Sequence, residues 1–303
     1  TSDVMVSPVM ASQINGEKPY AVELYAASNA SYNGLYYSTS GSYATITGYD
    51  GQSTDIVIPD KIGSYTVNAI QYGAFKDNNK ITSVKIPSTV TQIGNSYGSG
   101  AFENCANLKS VSIAAGAETA YIGNATFKDC TSLEEITVPG NYTTIYSDAF
   151  RGCRSLKKFV YNDNGISRKI QNRAFYECTS LVSLSLPTSL NSIGDEAFSG
   201  CSSLTAVDIP EGVKLIEYGV FNNCKLLKKV VIPSTIQRIG NSYNTGAFQN
   251  CTSLSTVTIK EGSQAATIGS NTFSGCSAIT SIVIPGNYSN VMDSAFNAVS
   301  YTH

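Results

Sequence analysis

The residues of this chain best able to do chemistry are its eight cysteines, whose thiols could act as nucleophiles, form disulfides or bind a metal. Each cysteine stands three positions after a phenylalanine, and this Phe–Cys unit returns every 23 to 27 residues. Two outer copies, at Phe75 and Phe296, keep the phenylalanine without the thiol. The eight units are Phe102/Cys105, Phe127/Cys130, Phe150/Cys153, Phe175/Cys178, Phe198/Cys201, Phe221/Cys224, Phe248/Cys251 and Phe273/Cys276.

This regular spacing favours a column of buried thiols over a metal site. A zinc site gathers its ligands at one point, whereas residues that recur once per repeat are strung along an axis. In a small apolar slot a cysteine behaves as a hydrophobic residue. We therefore predict eight free, inward-facing thiols. Disulfides between neighbouring repeats remain the alternative, because strands about 5 Å apart are close enough for a bridge.

The other residues give little support to acid–base catalysis. The single histidine, His303, is the last residue, where a side chain is rarely held in place. The carboxylates Glu134/Glu135 and Asp195/Glu196 are sequence neighbours, and adjacent side chains on a strand or turn point apart. We therefore expect no enzymatic activity, no cofactor and no bound metal.

The composition narrows the classes of partner. Charged residues make up only 14% of the chain, the net charge is −2, and no basic patch stands out. Nucleic-acid binding is therefore not expected, since it depends on clustered positive charge. No apolar run approaches the roughly 18 residues that a membrane-spanning helix needs, so the sequence predicts no membrane span in this chain.

The apolar residues between the Phe–Cys units indicate the elements that position them. Residues 181–201 read LVSLSLPTSLNSIGDEAFSGC. Leu184 and Leu186 have the two-residue spacing of a strand, and Pro187 ends it because proline lacks a backbone donor. A short second strand or turn is predicted near Ile193, followed by one helical turn at the Ala-Phe pair. The positions equivalent to Leu184 are Val84, Val111, Ile136, Phe159, Val207, Val230, Val257 and Ile282.

Strands this short cannot pair within their own repeat, so each must pair with its equivalent in the next repeat. This predicts a stack of about ten turns with a parallel sheet and right-handed crossovers. The pattern fails before Ile56, where two short apolar segments flank Ser-Thr-Ser-Gly-Ser and predict a hairpin. We therefore divide the chain into an N-terminal segment with a capping hairpin, residues 1–55, and a solenoid, residues 56–303.

The unit LxxLxLPxxLxxIxxxAFxxCxxL resembles the BspA-like, or Treponema-type, leucine-rich repeat, and the resemblance covers residues 56–303. It implies an α/β fold: a right-handed leucine-rich-repeat solenoid of about ten 23–27-residue repeats, with a parallel sheet, short second strands or turns and short helical turns. It also implies a bacterial cell-surface or secreted protein, with adhesion to a host or bacterial partner as the expected activity.

Two tyrosines stand where the repeat departs from its usual length. After Ile93 and after Ile239 the chain carries four extra residues before Ala-Phe, and Tyr97 and Tyr243 lie in these insertions. Both belong to a block that is duplicated at an offset of 146 residues with about half of its residues identical. Insertions in solenoids form loops on one flank, so we predict that both tyrosines are exposed and contact a partner.

The outward row of the predicted sheet is the second candidate binding surface. Solenoids often bind partners on this face, although the same residues would suit a plain solvated sheet. We therefore keep two functions open: a module that binds a surface protein or glycan, and a spacer or display stalk without a ligand. The candidate sheet residues are Lys85, Ser112, Thr137, Lys158, Ser185, Asp208, Lys229 and Thr258.

Overall fold

A computed structural model of the protein describes residues 30–242 and 245–299, and in these ranges the chain winds through 23 short strands. The first strands form an antiparallel hairpin whose last strand continues into the stack, because β3 pairs with β6 in parallel. The strands of this N-terminal region are β1 (Ala30–Tyr32), β2 (Leu35–Ser40), β3 (Tyr43–Tyr49), β5 (Lys61–Ile62) and β6 (Tyr65–Ile70).

Nine strands lie on the first side of the stack, each paired in parallel with its equivalent in the neighbouring repeat. Their side chains alternate between buried and exposed, as in Ser83–Ile86, because successive residues of a strand point to opposite faces. These strands are β4 (Asp55–Val57), β7 (Ser83–Ile86), β9 (Ser110–Ile113), β11 (Glu135–Val138), β13 (Lys158–Tyr161), β15 (Ser183–Ser185), β17 (Ala206–Asp208), β19 (Lys229–Ile232) and β21 (Thr256–Ile259).

The returning chain forms a second parallel sheet, which begins at β6. Most of its strands end on a buried isoleucine that meets the isoleucine of the next repeat, such as Ile145 against Ile170. The remaining strands are β8 (Gln92–Ile93), β10 (Ala120–Ile122), β12 (Tyr142–Ile145), β14 (Arg168–Ile170), β16 (Leu190–Ile193), β18 (Leu215–Ile216), β20 (Arg238–Ile239), β22 (Ala266–Ile268) and β23 (Tyr288–Val291).

Both sheets are interrupted between the same two repeats. In the described part of the chain, no ladder joins β15 to β17 or β16 to β18. The apolar interior nevertheless continues as one cluster past this point. Three backbone hydrogen bonds also cross it, from Glu196 N to Tyr218 O at 2.8 Å, Phe198 N to Val220 O at 2.9 Å, and Gly200 N to Asn222 O at 2.8 Å.

The helical turns predicted at each Ala-Phe pair are absent: residues 30–242 and 245–299 contain no helix, so this part of the chain is all-β, not α/β. Each pair instead begins a tight turn, in which the cysteine N–H donates to the phenylalanine carbonyl, as from Cys105 to Phe102 at 3.1 Å. The residue before the cysteine then takes a positive φ, 60° at Asn104 and 57° at Asp129. This left-handed conformation ends the turn before a helix can form.

The phenylalanines of these turns form a continuous stack through the interior. Neighbouring rings from Phe75 to Phe296 lie nearly parallel, with centroids 4.8 Å apart at the first step and 5.5 Å apart between Phe198 and Phe221. Aromatic rings offset in this way gain energy beyond the area that they bury. This stack, which we call the Phe column, anchors each turn to its neighbours.

The strand predicted around Ile282, in the last repeat, is not formed. Ile282 and Ile284 are half-buried and do not form a strand, and Val283 between them is 81% exposed.

Candidate binding surfaces

The insertion at residues 95–100 is an exposed loop that is held firmly at its base. The Tyr97 side chain is 73% exposed at the tip. The Asn95 side chain accepts a hydrogen bond from Tyr97 N at 3.2 Å, and the Asn124 side-chain amide donates to Gly98 O at 2.8 Å. At Gly100 the backbone passes so close to the next repeat that an added Cβ would lie 1.7 Å from Ala125 O. The loop therefore presents Tyr97 from a fixed frame.

A buried carboxylate fixes the same loop from below. Glu103 accepts a hydrogen bond from Gly100 N at 3.1 Å and forms ion pairs with Lys76 at 3.3 Å and Lys128 at 3.1 Å. Burial alone would raise the pKa of Glu103, but the hydrogen bonds and charges of Lys128, Gly100 and Lys76 outweigh it and lower the pKa. Lys76 also donates a hydrogen bond to Ser99 Oγ at 3.1 Å, which ties the Lys76–Glu103 ion pair directly to the loop.

Tyr243, the second predicted tyrosine, lies outside the described residues, as does His303. The base of its insertion repeats the geometry of the first. A Cβ at Gly246 would lie 1.7 Å from Asn271 O, and Thr272 donates to Gly269 O at 2.7 Å where Thr126 donates to Gly123 O at 2.8 Å. The duplicated block therefore carries the same support for an insertion in both places.

The candidate residues of the first sheet all lie exposed on its outer face, in two neighbouring rows. In one row Lys85 pairs with Ser112, and Asp208 leads through Val231 to Thr258. In the other, Lys158 lies between Glu135 and Ser183. The interruption between β15 and β17 divides this face, so Ser185 and Asp208 are not paired. The residues in question are Lys85, Ser112, Thr137, Lys158, Ser185, Asp208, Lys229 and Thr258.

All eight cysteines are buried and unbridged, and each thiol donates a hydrogen bond to the phenylalanine carbonyl one repeat earlier. The Cys130 Sγ–Phe102 O distance is 3.2 Å and the Cys201 Sγ–Phe175 O distance is 3.3 Å. Burial raises the pKa of Cys105 to about 12, which suppresses the reactive thiolate. The column of buried thiols therefore has a structural role.

One carboxylate of each adjacent pair forms an ion pair with a basic residue of the preceding or following repeat. Glu134 forms an ion pair with Lys157 at 3.0 Å, and Glu196 forms one with Arg173, also at 3.0 Å. The pKa of Asp195 is raised, first by burial and then by the charge of Glu217. Within residues 30–242 and 245–299, no cluster of His, Cys, Asp and Glu side chains could hold a metal ion.

A buried polar network is centred on Arg168, a residue not among the candidates predicted from the sequence. This guanidinium is fully buried in the slot that Leu190 fills in the next strand, and it forms an ion pair with Asp163 Oδ1 at 3.0 Å. It also donates to Gly140 O and lies 5.5 Å from the centre of the Tyr161 ring. The sequence does carry a signal for this network. Arg168 is a charged residue at the inward position that the apolar Leu190 occupies in the next repeat.

Asp163 joins this network to the following repeat. Its carboxylate accepts hydrogen bonds from Ser189 Oγ and Thr188 Oγ1, both at 2.6 Å, and from Gly165 N at 2.9 Å. The hydrogen bonds from Ser189, Thr188 and Gly165 hold the pKa of Asp163 well below its usual range. The network therefore fixes the loop of residues 162–167, and the hydrogen-bonding atoms of Asp163 are mostly used within it rather than available to a ligand.

Across the two described ranges, no helix has the length and apolar character needed to cross a membrane.

The chain is similar to several solved structures, and the first of them supports the fold. A leucine-rich repeat protein from Bacteroides ovatus is 23% identical, aligns over 90% of each chain and has a TM-score of 0.57. A leucine rich cell surface protein from Faecalibacterium prausnitzii is 24% identical over 89% of this chain and 86% of its own, with a TM-score of 0.45. The T. pallidum leucine-rich repeat protein is 23% identical over 83% and 90%, with a TM-score of 0.44.

Family comparison is more specific than these structural matches. No curated protein matches the chain. The model of the BspA type leucine rich repeat region matches in six copies, over residues 49–168 and 168–302. Its span includes both insertions, the Phe column and the cysteines. The chain therefore belongs to the family of BspA-type leucine-rich repeat proteins.

Proposed function

We propose that the chain is a binding module of a bacterial cell-surface or secreted protein, which presents its repeats to a host or bacterial surface protein or glycan. The observation that carries this proposal is the Tyr97 loop, whose ring is exposed while its base is fixed by Asn124, Glu103 and the close approach at Gly100. A rigid exposed tyrosine gives contact area at low entropic cost. Membership of the family supports the surface location.

Duplication extends the proposal to two contact points. Tyr97 and Tyr243 are six repeats apart, and at about 5 Å per stacked strand their loops would be separated by about 30 Å. Two sites on one rigid scaffold would bind a repetitive partner more tightly by avidity. We also propose that the hairpin within the N-terminal segment, residues 1–55, caps a solenoid at residues 56–303, because β2 and β3 add antiparallel strands before the first parallel pair.

The test is an array of glycans and matrix proteins probed with the full chain. We expect a Tyr97→Ala/Tyr243→Ala variant to lose binding to the partner that the array identifies, while its unfolding midpoint stays close to that of the parent. Tyr32→Ala is the matched control, because it removes another partly exposed tyrosine, from β1. If only a Thr137→Arg variant loses binding, the outer face of the first sheet is the site instead.

The alternative is a spacer or display stalk without a ligand of its own. Its support is the low content of charged residues, 14%, and the polar, hydroxyl-rich rows of the first sheet. An array that gives no binding with the parent chain would favour the stalk and contradict the binding module.

A further inference from the structure

A groove of about 710 Å³ lies near the hairpin, where the chain passes from strands of the first sheet into strands of the second. This volume is in the range of small-molecule sites, about 300–1,000 Å³. It runs across β3, β6 and the segments that lead into β8 and β10, and three steps of about 5 Å between these neighbours give a length of about 15 Å. We call it the Tyr43 groove; its main lining residues are Tyr43, Thr66, Asn68, Ser88, Glu118 and Thr119.

The lining combines one aromatic ring with a series of small polar groups. The Tyr43 side chain is 50% exposed at the hairpin end of the groove. The side chains of Thr66, Ser88 and Thr119 make no hydrogen bond to any residue of the described chain, so their donors and acceptors remain available. A sugar ring presents hydroxyls at its edge and C–H groups on its faces, and these match hydroxyl side chains and an aromatic face respectively.

The wall opposite Tyr43 is held in position before any ligand arrives. Buried Asn141 accepts a hydrogen bond from Gly116 N at 3.2 Å and donates to Glu118 O at 3.0 Å. Gly116 packs so closely on the previous repeat that an added Cβ would lie 2.3 Å from Ser88 O. Because this wall does not need to be ordered on binding, little affinity is lost to conformational entropy.

We propose that the Tyr43 groove binds a short neutral oligosaccharide, with a sugar ring against Tyr43 and sugar hydroxyls bonded to Thr66, Ser88, Thr119 and the Glu118 carboxylate. Glu118 is the one charged side chain that lines the groove in the described chain. Its negative charge disfavours uronates, sulfated sugars and sialic acids, whereas a carboxylate accepts hydrogen bonds readily from neutral sugars. This inference rests on the proposed function as a binding module but uses a different site.

The duplicated block provides an internal control for the proposal. It repeats the supporting wall, since Asn287 accepts from Gly262 N at 3.3 Å and donates to Gln264 O at 2.9 Å. It does not repeat the lining: at the 146-residue offset the sequence has Gln264 for Glu118 and Ala265 for Thr119, and Tyr43 lies in the hairpin, before the block begins at Ile86. We therefore expect one oligosaccharide per chain, at the Tyr43 groove.

The experiment is titration calorimetry of the full chain with a panel of hexasaccharides. The probes are the neutral β-1,4-glucose, β-1,3-glucose, β-1,4-xylose and α-1,6-mannose oligomers and the anionic α-1,4-galacturonate oligomer. We expect at least one neutral oligomer to bind with one site per chain and the galacturonate not to bind. Tyr43→Ala should raise the Kd at least tenfold, and Thr119→Arg, which fills the groove from the opposite wall, should do the same. Tyr97→Ala should change it less than twofold.

Each other outcome overturns the assignment. Unchanged binding in both Tyr43→Ala and Thr119→Arg would place the saccharide elsewhere, and tighter binding of galacturonate would contradict the role of Glu118. If no neutral hexasaccharide binds at millimolar concentration, the groove is not a saccharide site. Loss of binding in Tyr97→Ala but not in the groove variants would support the exposed loop while rejecting the groove. Circular dichroism spectra that match the parent confirm that each variant is folded.

Discussion

Replacing Phe198 by alanine tests both the Phe column and the interruption of the two sheets. Phe198 is fully buried between Phe175, with ring centroids 5.1 Å apart, and Phe221, at 5.5 Å. Its carbonyl accepts a hydrogen bond from Cys224 Sγ at 3.3 Å, which fixes the backbone around the lost ring and limits collapse of the cavity. Removing a buried phenylalanine at such a site costs about 3–5 kcal/mol.

The position of Phe198 adds a second, qualitative effect. No strand ladder in the described chain crosses from β15 to β17 or from β16 to β18, so the blocks on either side are joined there by the turns and the apolar interior. In a solenoid, cooperativity depends on the coupling between neighbouring repeats. We therefore expect Phe198→Ala to split unfolding into two transitions or to lower its apparent m-value.

Phe127→Ala is the matched control. Phe127 is equally buried and is stacked between Phe102 at 5.5 Å and Phe150 at 5.4 Å, but the strands β10 and β12 around it belong to one continuous sheet. It should lose a similar 3–5 kcal/mol with one transition. The measurement is urea unfolding followed by circular dichroism and calorimetry. A cost below about 1 kcal/mol would refute the anchor role, and one transition with an unchanged m-value in Phe198→Ala would refute the weak coupling.

Three further predictions concern the cysteines, Asp163 and Gly100. A thiol reagent should label the native chain slowly and reach eight thiols in denaturant without reductant; fewer than eight would reveal disulfides. Asp163→Asn should destabilise the chain at pH 7, and the difference from the parent in urea midpoint should shrink below about pH 4, because a lowered folded pKa contributes stability that is lost as the carboxylate protonates; a constant difference would contradict this. Gly100→Ala should cost about 1–3 kcal/mol by overpacking against Ala125, whereas Tyr97→Ala should leave the urea midpoint nearly unchanged.

The sequence predicted the features that recur in every repeat. The regular return of the Phe–Cys unit predicted an inward thiol at Cys201, and both Cys201 and Phe198 are fully buried. The apolar residues Leu184 and Val207 correctly predicted two strands of the first side. This works because only every second side chain of a strand points to its buried face.

Features set by one repeat were harder to predict. The missing helical turn depends on positive φ at residues as different as Asn104, Glu177 and Gly200, and only the glycine signals it in the sequence. The interruption after β15 has no compositional mark, since Leu186-Pro187 and Ile209-Pro210 resemble the other strand ends. The Tyr43 groove joins residues from the hairpin and three repeats, and their proximity follows only from the pairing of β3 with β6.

The thiol column has a consequence for biogenesis. Each cysteine is shielded by the repeats stacked around it, so the thiols of a newly made chain are exposed until stacking is complete. In the unfolded chain the thiols return to an ordinary pKa of about 8.5 and can oxidise to disulfides, none of which belongs to the folded state. In an oxidising compartment, the stacking of the repeats therefore competes kinetically with disulfide formation between exposed cysteines. The folded protein needs no oxidoreductase, and a chaperone that delays folding would expose it to the damage that rapid stacking prevents.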